Sequence, residues 1–405
     1  MSKRPTLDDI RAARERISRL VHVTPLEHSS EFSRMLGNHI FHKLENLQVT
    51  GSFKVRGALN AILTLTDEQR SNGVVAASAG NHAQGVAFGA RRAGIHATIV
   101  MPVGTPLVKL AAVKRYGAEV VQLGETYDEA AAHAAGLAAE RGAHLIHPFD
   151  DPAVIAGQGT IGLEIVEQLP DVEAVIVPVG GGGLVSGVGT AVKALLPRVQ
   201  VIGVQASGAD AMAQSLAAGE LRTSQRTVTI ADGIRVARPG ELTLAIARDV
   251  VDQVVTVQDD EIADAVLLMV EVDKSVVEGA GATPLAALLE RRIGLRGKRA
   301  VLVVSGGNID VNVLGRIIDR GLVRTGRLVR IRVMLADRPG SLAEMTRHLA
   351  RLGANVLHVL HERAFSHGRL DETSVDFALE TRGKDHAEEV VRGLEEAGYE
   401  VEVLT

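Results

Sequence analysis

VIVPVGGGGLVSGVG, residues 175–189, runs from a β-branched strand through four consecutive glycines into a helical pattern. A strand that is apolar on both faces and passes directly into a helix belongs to a parallel sheet covered on each side by helices. Four adjacent glycines leave their N–H groups free to converge, and the helix that follows adds the positive end of its dipole, so the turn suits a phosphate. No Lys-Ser or Lys-Thr pair follows, and the strict dinucleotide spacing is missing, so the phosphate belongs to something other than a nucleotide. A tight turn or hinge is the other use of such glycines.

The same rhythm extends in both directions. GVVAAS (73–78), HATIVMP (96–102), AEVVQLG (118–124), VQVIGVQA (199–206), DQVVTVQ (252–258) and RAVLVVSGG (299–307) are short apolar runs, each followed by a helical stretch. This is an α/β pattern with parallel sheets, in which ligands sit beyond the carboxyl ends of strands. Besides Gly180–Gly183, two further strand-to-helix turns carry glycine and polar side chains: SAGNHAQG (78–85) and SGGN (305–308). The pattern changes near RTGRLVRIRVML. Residues 328–405 read strand, helix, strand, strand, helix, strand, the ferredoxin-like βαββαβ order, which places a domain boundary near Thr325.

Composition narrows the function. The 405 residues exceed one typical core, and 46% hydrophobic with 23% charged residues describes a globular chain. A net charge of −5 gives no footprint for nucleic acid, and no apolar stretch is long enough to span a bilayer, so small molecules are the default ligand. With no cysteine, disulfides, thiolate metal sites and cysteine nucleophiles are excluded together. The charged N-terminal stretch lacks the apolar core of a signal peptide, which gives a cytoplasmic expectation.

Chemistry concentrates at four places. Lys54, in TGSFKVRGALNAI (50–62), sits in a segment that otherwise reads as the buried start of a helix. Either its stem lies along the helix with the head in water, or burial depresses the amine's pKa and makes it a usable base or nucleophile. In SAGNHAQG a helix start offers N–H groups to a carboxylate, Asn81 can donate to a phenolic or carbonyl oxygen, and Ser78 or Asn81 could equally be a plain cap. His82 reads as structural rather than as a proton carrier. Ser305 ends a strand and can bond a ring nitrogen or cap the next helix. A buried amine, a phosphate cradle, a carboxylate-binding helix start and a donor to a ring together describe a pyridoxal phosphate site.

In GSFKVRGA, SAGNHAQGVA, IAGQGTIGLEI, VPVGGGGL and SGGN, in that order, the chain resembles the β-type threonine dehydratases (threonine ammonia-lyases), fold type II pyridoxal phosphate enzymes with a tryptophan synthase β-like fold. DRPGSLAEM (337–345) is similar to the amino-acid-sensing ACT domain. The resemblance implies a catalytic domain over 1–325, with a smaller subdomain at roughly 50–148, and an ACT domain over 326–405. It makes Lys54 the Schiff-base lysine, with Phe53 packing on the pyridine ring, Asn81 at the 3′-oxygen, Gly180, Gly181, Gly182, Gly183 and Leu184 at the phosphate, and Ser305 at the ring nitrogen. Ser78, Gly80, Asn81 and His82 would bind the substrate carboxylate, with Gly157 and Gln158 nearby. An effector would sit at Asp337, Pro339, Gly340, Ser341 and Leu342.

The implied activity is deamination of L-threonine to 2-oxobutanoate, with L-serine as a second substrate, in a cytoplasmic homodimer or homotetramer that responds to a branched-chain amino acid of the isoleucine pathway. A serine dehydratase, a serine racemase and a non-catalytic amino-acid sensor are the competing readings. Two departures bear on them. Ala79 stands where serine racemase has a second serine, and Gln205 and Ala211 stand where racemase-like enzymes have carboxylate metal ligands. No metal ligand set is therefore expected, and a monovalent cation is the remaining candidate ion.

Overall fold

A computed structural model describes residues 3–225, 227–362, 369 and 371–404. The chain divides into two compact units, Met1–Ile309 and Asp310–Thr405.

The first unit holds two sheets. In chain order its strands are β1 (Leu26–Ser29), β2 (His39–Leu44), β3 (Val74–Ala77), β4 (Ala97–Met101), β5 (Glu119–Gln122), β6 (His144–Leu145), β7 (Ala174–Pro178), β8 (Gln200–Ala206), β9 (Gln253–Val257) and β10 (Arg299–Val304). The larger sheet runs β1-β2-β10-β7-β8-β9 and the smaller β5-β4-β3-β6. Every pairing is parallel except β1 with β2. The apolar runs form these strands because both faces are covered: all residues of β3, β4 and β7 are buried. The early antiparallel pair β1 and β2, joined through helix Ser30–Leu36, has no such run, and its strand character was not legible, yet β2 joins the larger sheet by pairing with β10.

Strand order positions the site. β7 and β10 are neighbours, with Leu302 opposite Ile176, so the turns after them lie side by side where the order reverses. In the smaller sheet β3 lies between β4 and β6, so the turn at Ser78–Asn81 adjoins the segment that follows β6.

Beneath helix Lys54–Leu63 lies a buried charge network. Arg56 bonds Glu45 through Nε and Nη2 (both 2.8 Å) and Glu164 through Nη1 (2.6 Å) and Nη2 (3.0 Å), while Lys43 Nζ reaches Glu164 at 2.6 Å. All four side chains are buried. Burial works against the Arg56 charge, but the two glutamates hold its pKa raised. Two cations and two anions cancel, which allows a charged cluster inside the protein.

The second unit contains β11 (Leu328–Ala336), helix Ser341–Arg351, β12 (Asn355–Glu362), β13 (Glu372–Glu380), helix Lys384–Glu396 and β14 (Val401–Leu404) in the order β12-β13-β11-β14, all antiparallel. Ile331, Val333, Met345, Phe377 and Leu394 build its own core under one face of the sheet. The unit starts earlier than the expected Thr325. Helix Val311–Arg324 belongs to it, because that helix runs through the Gly326 turn into β11 and packs on it.

Candidate active site

Residues 51–53 lie against 305–307. Phe53 N–H donates to the Ser305 carbonyl (3.0 Å), Gly307 N–H to the Gly51 carbonyl (2.9 Å), and Ser52 bridges to Gly306. Two segments about 250 residues apart in sequence therefore meet, and Lys54 opens its helix beside the end of β10. Lys54 Nζ donates to the Pro148 carbonyl at 3.1 Å and stands 5.2 Å from the centre of the Phe53 ring. Burial lowers its pKa to about 8, with the Glu278 carboxylate pulling in the other direction. The reactive, neutral amine is thus present in about one molecule in ten at pH 7, against about one in three thousand for an ordinary lysine. Capture of an aldehyde at Lys54 in the cofactor-free protein is expected to quicken with pH and to level off above about 8. Glu278→Gln removes the carboxylate that raises the pKa, so the midpoint moves lower; both follow from reductive-labelling rates measured from pH 6 to 10.

The turn after β3 presents a bare helix start. Gly80 precedes helix Asn81–Ala93 without any side-chain cap, and Ser78 Oγ accepts the Gly80 N–H instead (3.1 Å). The opening N–H groups of this 13-residue helix face the site free of a capping oxygen, as a carboxylate requires. The His82 side chain turns away: its Nε2–H donates to the Ile146 carbonyl (2.9 Å), and burial pushes its pKa down to about 3. It is neutral at every physiological pH, and only its backbone can serve a carboxylate. Asn81 Nδ2 donates to both oxygens of Glu278 (2.9 Å each), and its Oδ1 accepts from Asn308 (2.8 Å). Glu278 was missed in the sequence. Burial raises its pKa to about 7, with Asp232 adding to the effect. The signal was available as a lone acid in SVVEGAGATPL, an otherwise small and apolar run.

The four-glycine turn closes the arrangement. Gly182 has φ of +98° and leads into helix Gly183–Leu195. A Cβ on Gly181 would fall 2.4 Å from the Phe149 ring, and one on Gly180 would fall 3.0 Å from Ile234 Cα. The loop must therefore be glycine where the chain packs this closely. Ser305 does not cap a helix, since Asp310 performs that role for Val311–Arg324. Among the described residues its hydroxyl and that of Ser52 are buried without a hydrogen-bond partner. Orphaned hydroxyls beside a depressed-pKa amine and a glycine cradle fit a phosphorylated pyridine aldehyde.

The family model for pyridoxal-phosphate dependent enzymes matches residues 17–306. The chain belongs to that family. It is 49% identical to an L-threonine ammonia-lyase of Thermotoga maritima over 98% of this chain and 99% of the relative. Among solved structures, the processed form of threonine deaminase isoform 2 from Solanum lycopersicum superposes with a TM-score of 0.74 at 40% identity, covering 77% of this chain and 91% of that one. Maize serine racemase gives 0.75 at 41% identity, covering 80% and 99%.

In this pyridoxal-phosphate dependent enzyme, Gly157 and Gln158, the residues expected near the substrate carboxylate, lie where two helices meet. These residues pack helix Pro152–Gln168 on the Lys54 helix, Gln158 Oε1 accepting the Gly57 N–H at 3.2 Å. A Cβ on Gly157 would meet the Arg56 carbonyl and Gly57 Cα, each at 2.6 Å. Two helices at that spacing cannot separate without moving Lys54. Gly157→Ala is expected to lower stability by about 1–3 kcal/mol and to weaken cofactor binding as well, checked by thermal unfolding and cofactor titration.

Gln205 ties down its own loop, donating to the Ala209 carbonyl (3.1 Å) and accepting from Ala213 N–H (2.8 Å), with Ala211 opening the next helix. Among the described residues no group of three or more histidine, aspartate or glutamate side chains could hold a metal ion. In the second unit, Asp337, Pro339 and Gly340 lie in an exposed turn, with Gly340 at φ +99° before Ser341. Leu342 packs on that unit's core.

Proposed function

We propose that this chain deaminates L-threonine to 2-oxobutanoate and ammonia, and L-serine to pyruvate, with pyridoxal 5′-phosphate as cofactor. One observation carries the reading: the switch points of the two sheets gather a depressed-pKa amine, a bare helix start, a glycine cradle and an orphaned serine hydroxyl. When bound, the cofactor supplies the electron sink for the charge left at Cα. Lys54 would stand at its aldehyde carbon, the Gly180–Gly183 turn and Leu184 at its phosphate, Ser305 at the ring nitrogen and Phe53 against the ring.

This chain's own residues do the remainder. The N–H groups at Asn81 and His82 orient the substrate carboxylate. Lys54 Nζ, held in reach of its neutral form, takes the Cα proton. Ser305 is a neutral partner for the ring nitrogen and cannot keep it protonated as an aspartate would, which favours loss of the β-hydroxyl over return of the proton. Serine racemisation is the second reading, favoured by the likeness to maize serine racemase. Ala79 carries no hydroxyl, so the opposite face lacks that proton donor.

The test is 2-oxo acid formation from L-threonine and L-serine by purified protein supplied with cofactor, with D-serine assayed by chiral chromatography. A preference for threonine of about 10–200-fold, the value of one methyl, is expected. D-serine without oxo acid would overturn the reading in favour of the racemase.

Regulation is part of the same proposal. The exposed turn at Asp337–Gly340, opening onto an uncapped helix start, suits an amino acid effector such as isoleucine or valine. Millimolar amounts of either are expected to change the rate and shift thermal unfolding. No response in both measurements would make the second unit a platform for a homodimer or homotetramer, whose size light scattering gives. Among the described residues no helix is long and apolar enough to cross a membrane, in keeping with a cytoplasmic location as part of this proposal.

A further inference from the structure

The segment that follows β6, His147–Asp150, touches both the Lys54 amine and the four-glycine turn. Its conformation is set locally: His147 Nδ1 accepts the N–H groups of Phe149 (3.2 Å) and Asp150 (2.7 Å), and the two rings meet edge to face with centroids 4.7 Å apart. From that fixed turn three contacts leave. The Pro148 carbonyl accepts from Lys54 Nζ (3.1 Å). The Phe149 ring lies on Gly181, and its backbone lies where a Cβ on Gly183 would fall 3.0 Å away. The Asp150 carboxylate accepts from Glu241 N–H (3.1 Å) and Thr243 N–H (3.0 Å), while Thr243 Oγ1 donates to the Gly181 carbonyl (2.6 Å).

Gly181 is thus held from two sides by one turn, directly through the ring and indirectly through Asp150 and Thr243. The same turn holds the lysine amine. The sequence analysis singled out neither Phe149 nor Thr243.

We propose that Phe149 and Thr243 are positioning residues that hold the four-glycine turn in its phosphate-binding form, and that the His147–Asp150 turn sets the distance between that cradle and the Lys54 amine. The proposal rests on the reading of the glycine turn as a phosphate site and adds the residues that shape it. A glycine loop is conformationally free and loses entropy when it closes on a ligand. An aromatic face on one side and a hydroxyl clamp on its carbonyl remove that freedom beforehand.

The test uses the full chain, freed of cofactor and titrated separately with pyridoxal phosphate and with pyridoxal, which has the aldehyde and ring but no phosphate. Phe149→Leu and Thr243→Val keep volume close to native, the second being nearly isosteric. Each is expected to weaken pyridoxal phosphate about tenfold and pyridoxal less than about twofold, the size of effect seen when a group supporting a binding shell is changed. Equal weakening of both compounds, or of neither, in both variants would overturn the proposal. If the unaltered protein bound pyridoxal as tightly as pyridoxal phosphate, the phosphate reading of the glycine turn would itself fall, a result distinct from the first because it needs no variant.

Discussion

Lys54→Ala is expected to cut 2-oxo acid formation by at least about a thousandfold, within the 10²–10⁴ range of a lost acid–base group and compounded by loss of the attachment point for the cofactor. Lys54→Arg should fail to a similar degree, because a guanidinium keeps its proton throughout the accessible pH range and offers no neutral nitrogen. The failure of the alanine variant should not come from unfolding. The Lys54 charge sits where burial penalises it, so at pH 7 the cation is a cost to the folded state, and removing it leaves stability unchanged or higher. Sign and window follow from the lowered pKa: the penalty is full below about pH 8 and fades as pH rises toward the ordinary lysine value. Borohydride reduction followed by peptide mapping should find cofactor on residue 54 in the unaltered protein and on no residue in the alanine variant. Near-normal turnover by Lys54→Ala would sink the assignment of this lysine.

Arg56→Leu is the second large effect, and it acts on stability. Arg56 makes bidentate contact with both Glu45 and Glu164, all three side chains being nearly inaccessible to water. Taking away the guanidinium leaves two buried carboxylates with only Lys43 between them. Breaking such a network costs about 3–5 kcal/mol, or a fall of about 5–8 degrees in the unfolding midpoint of a unit this large. Part of the loss should be recovered at low pH, where the abandoned Glu45 carboxylate takes up a proton; burial raises its pKa once the cation that lowers it is gone. Arg56→Lys keeps a charge but loses the planar fork and should lie between the two. Calorimetry of the cofactor-free protein separates this effect from the stabilisation that ligand binding adds. Unchanged unfolding in Arg56→Leu would mean that the cluster contributes nothing net.

The two effects share an origin. Arg56 lies two residues beyond Lys54, in the first turn of the same helix, and Gly157, on the helix that also carries Glu164, packs against that same turn. The amine is positioned by a rigid charged base and a close helix contact, so chemistry and stability are coupled through one short segment.

Much of this protein was legible in its sequence because the information is local. Apolar runs of four to seven residues with glycine within the turn that follows specify strands buried on both faces, and they recur as β3, β4, β7, β8 and β10. The βαββαβ order of the second unit follows from periodicity alone, and four consecutive glycines or a lone lysine among apolar residues are chemically conspicuous wherever they occur. Other features depend on partners distant in the chain. The antiparallel pair β1 and β2 lacks an apolar run and is held by β10, about 260 residues away. Helix Val311–Arg324 could be assigned to the second unit only once its packing on β11 was seen. That Gly157 is also a packing residue, with the Lys54 helix within 2.6 Å of its missing Cβ, depends on a segment about 100 residues away. The pKa values of Lys54 and Glu278, and the hold of Phe149 and Thr243 on Gly181, arise from burial and from groups brought together by strand order. Sequence alone determined which elements and reactive groups this chain has. The tertiary structure decided which groups face one another and how far water is removed from them, because desolvation and hydrogen-bond geometry depend on neighbours that only folding supplies.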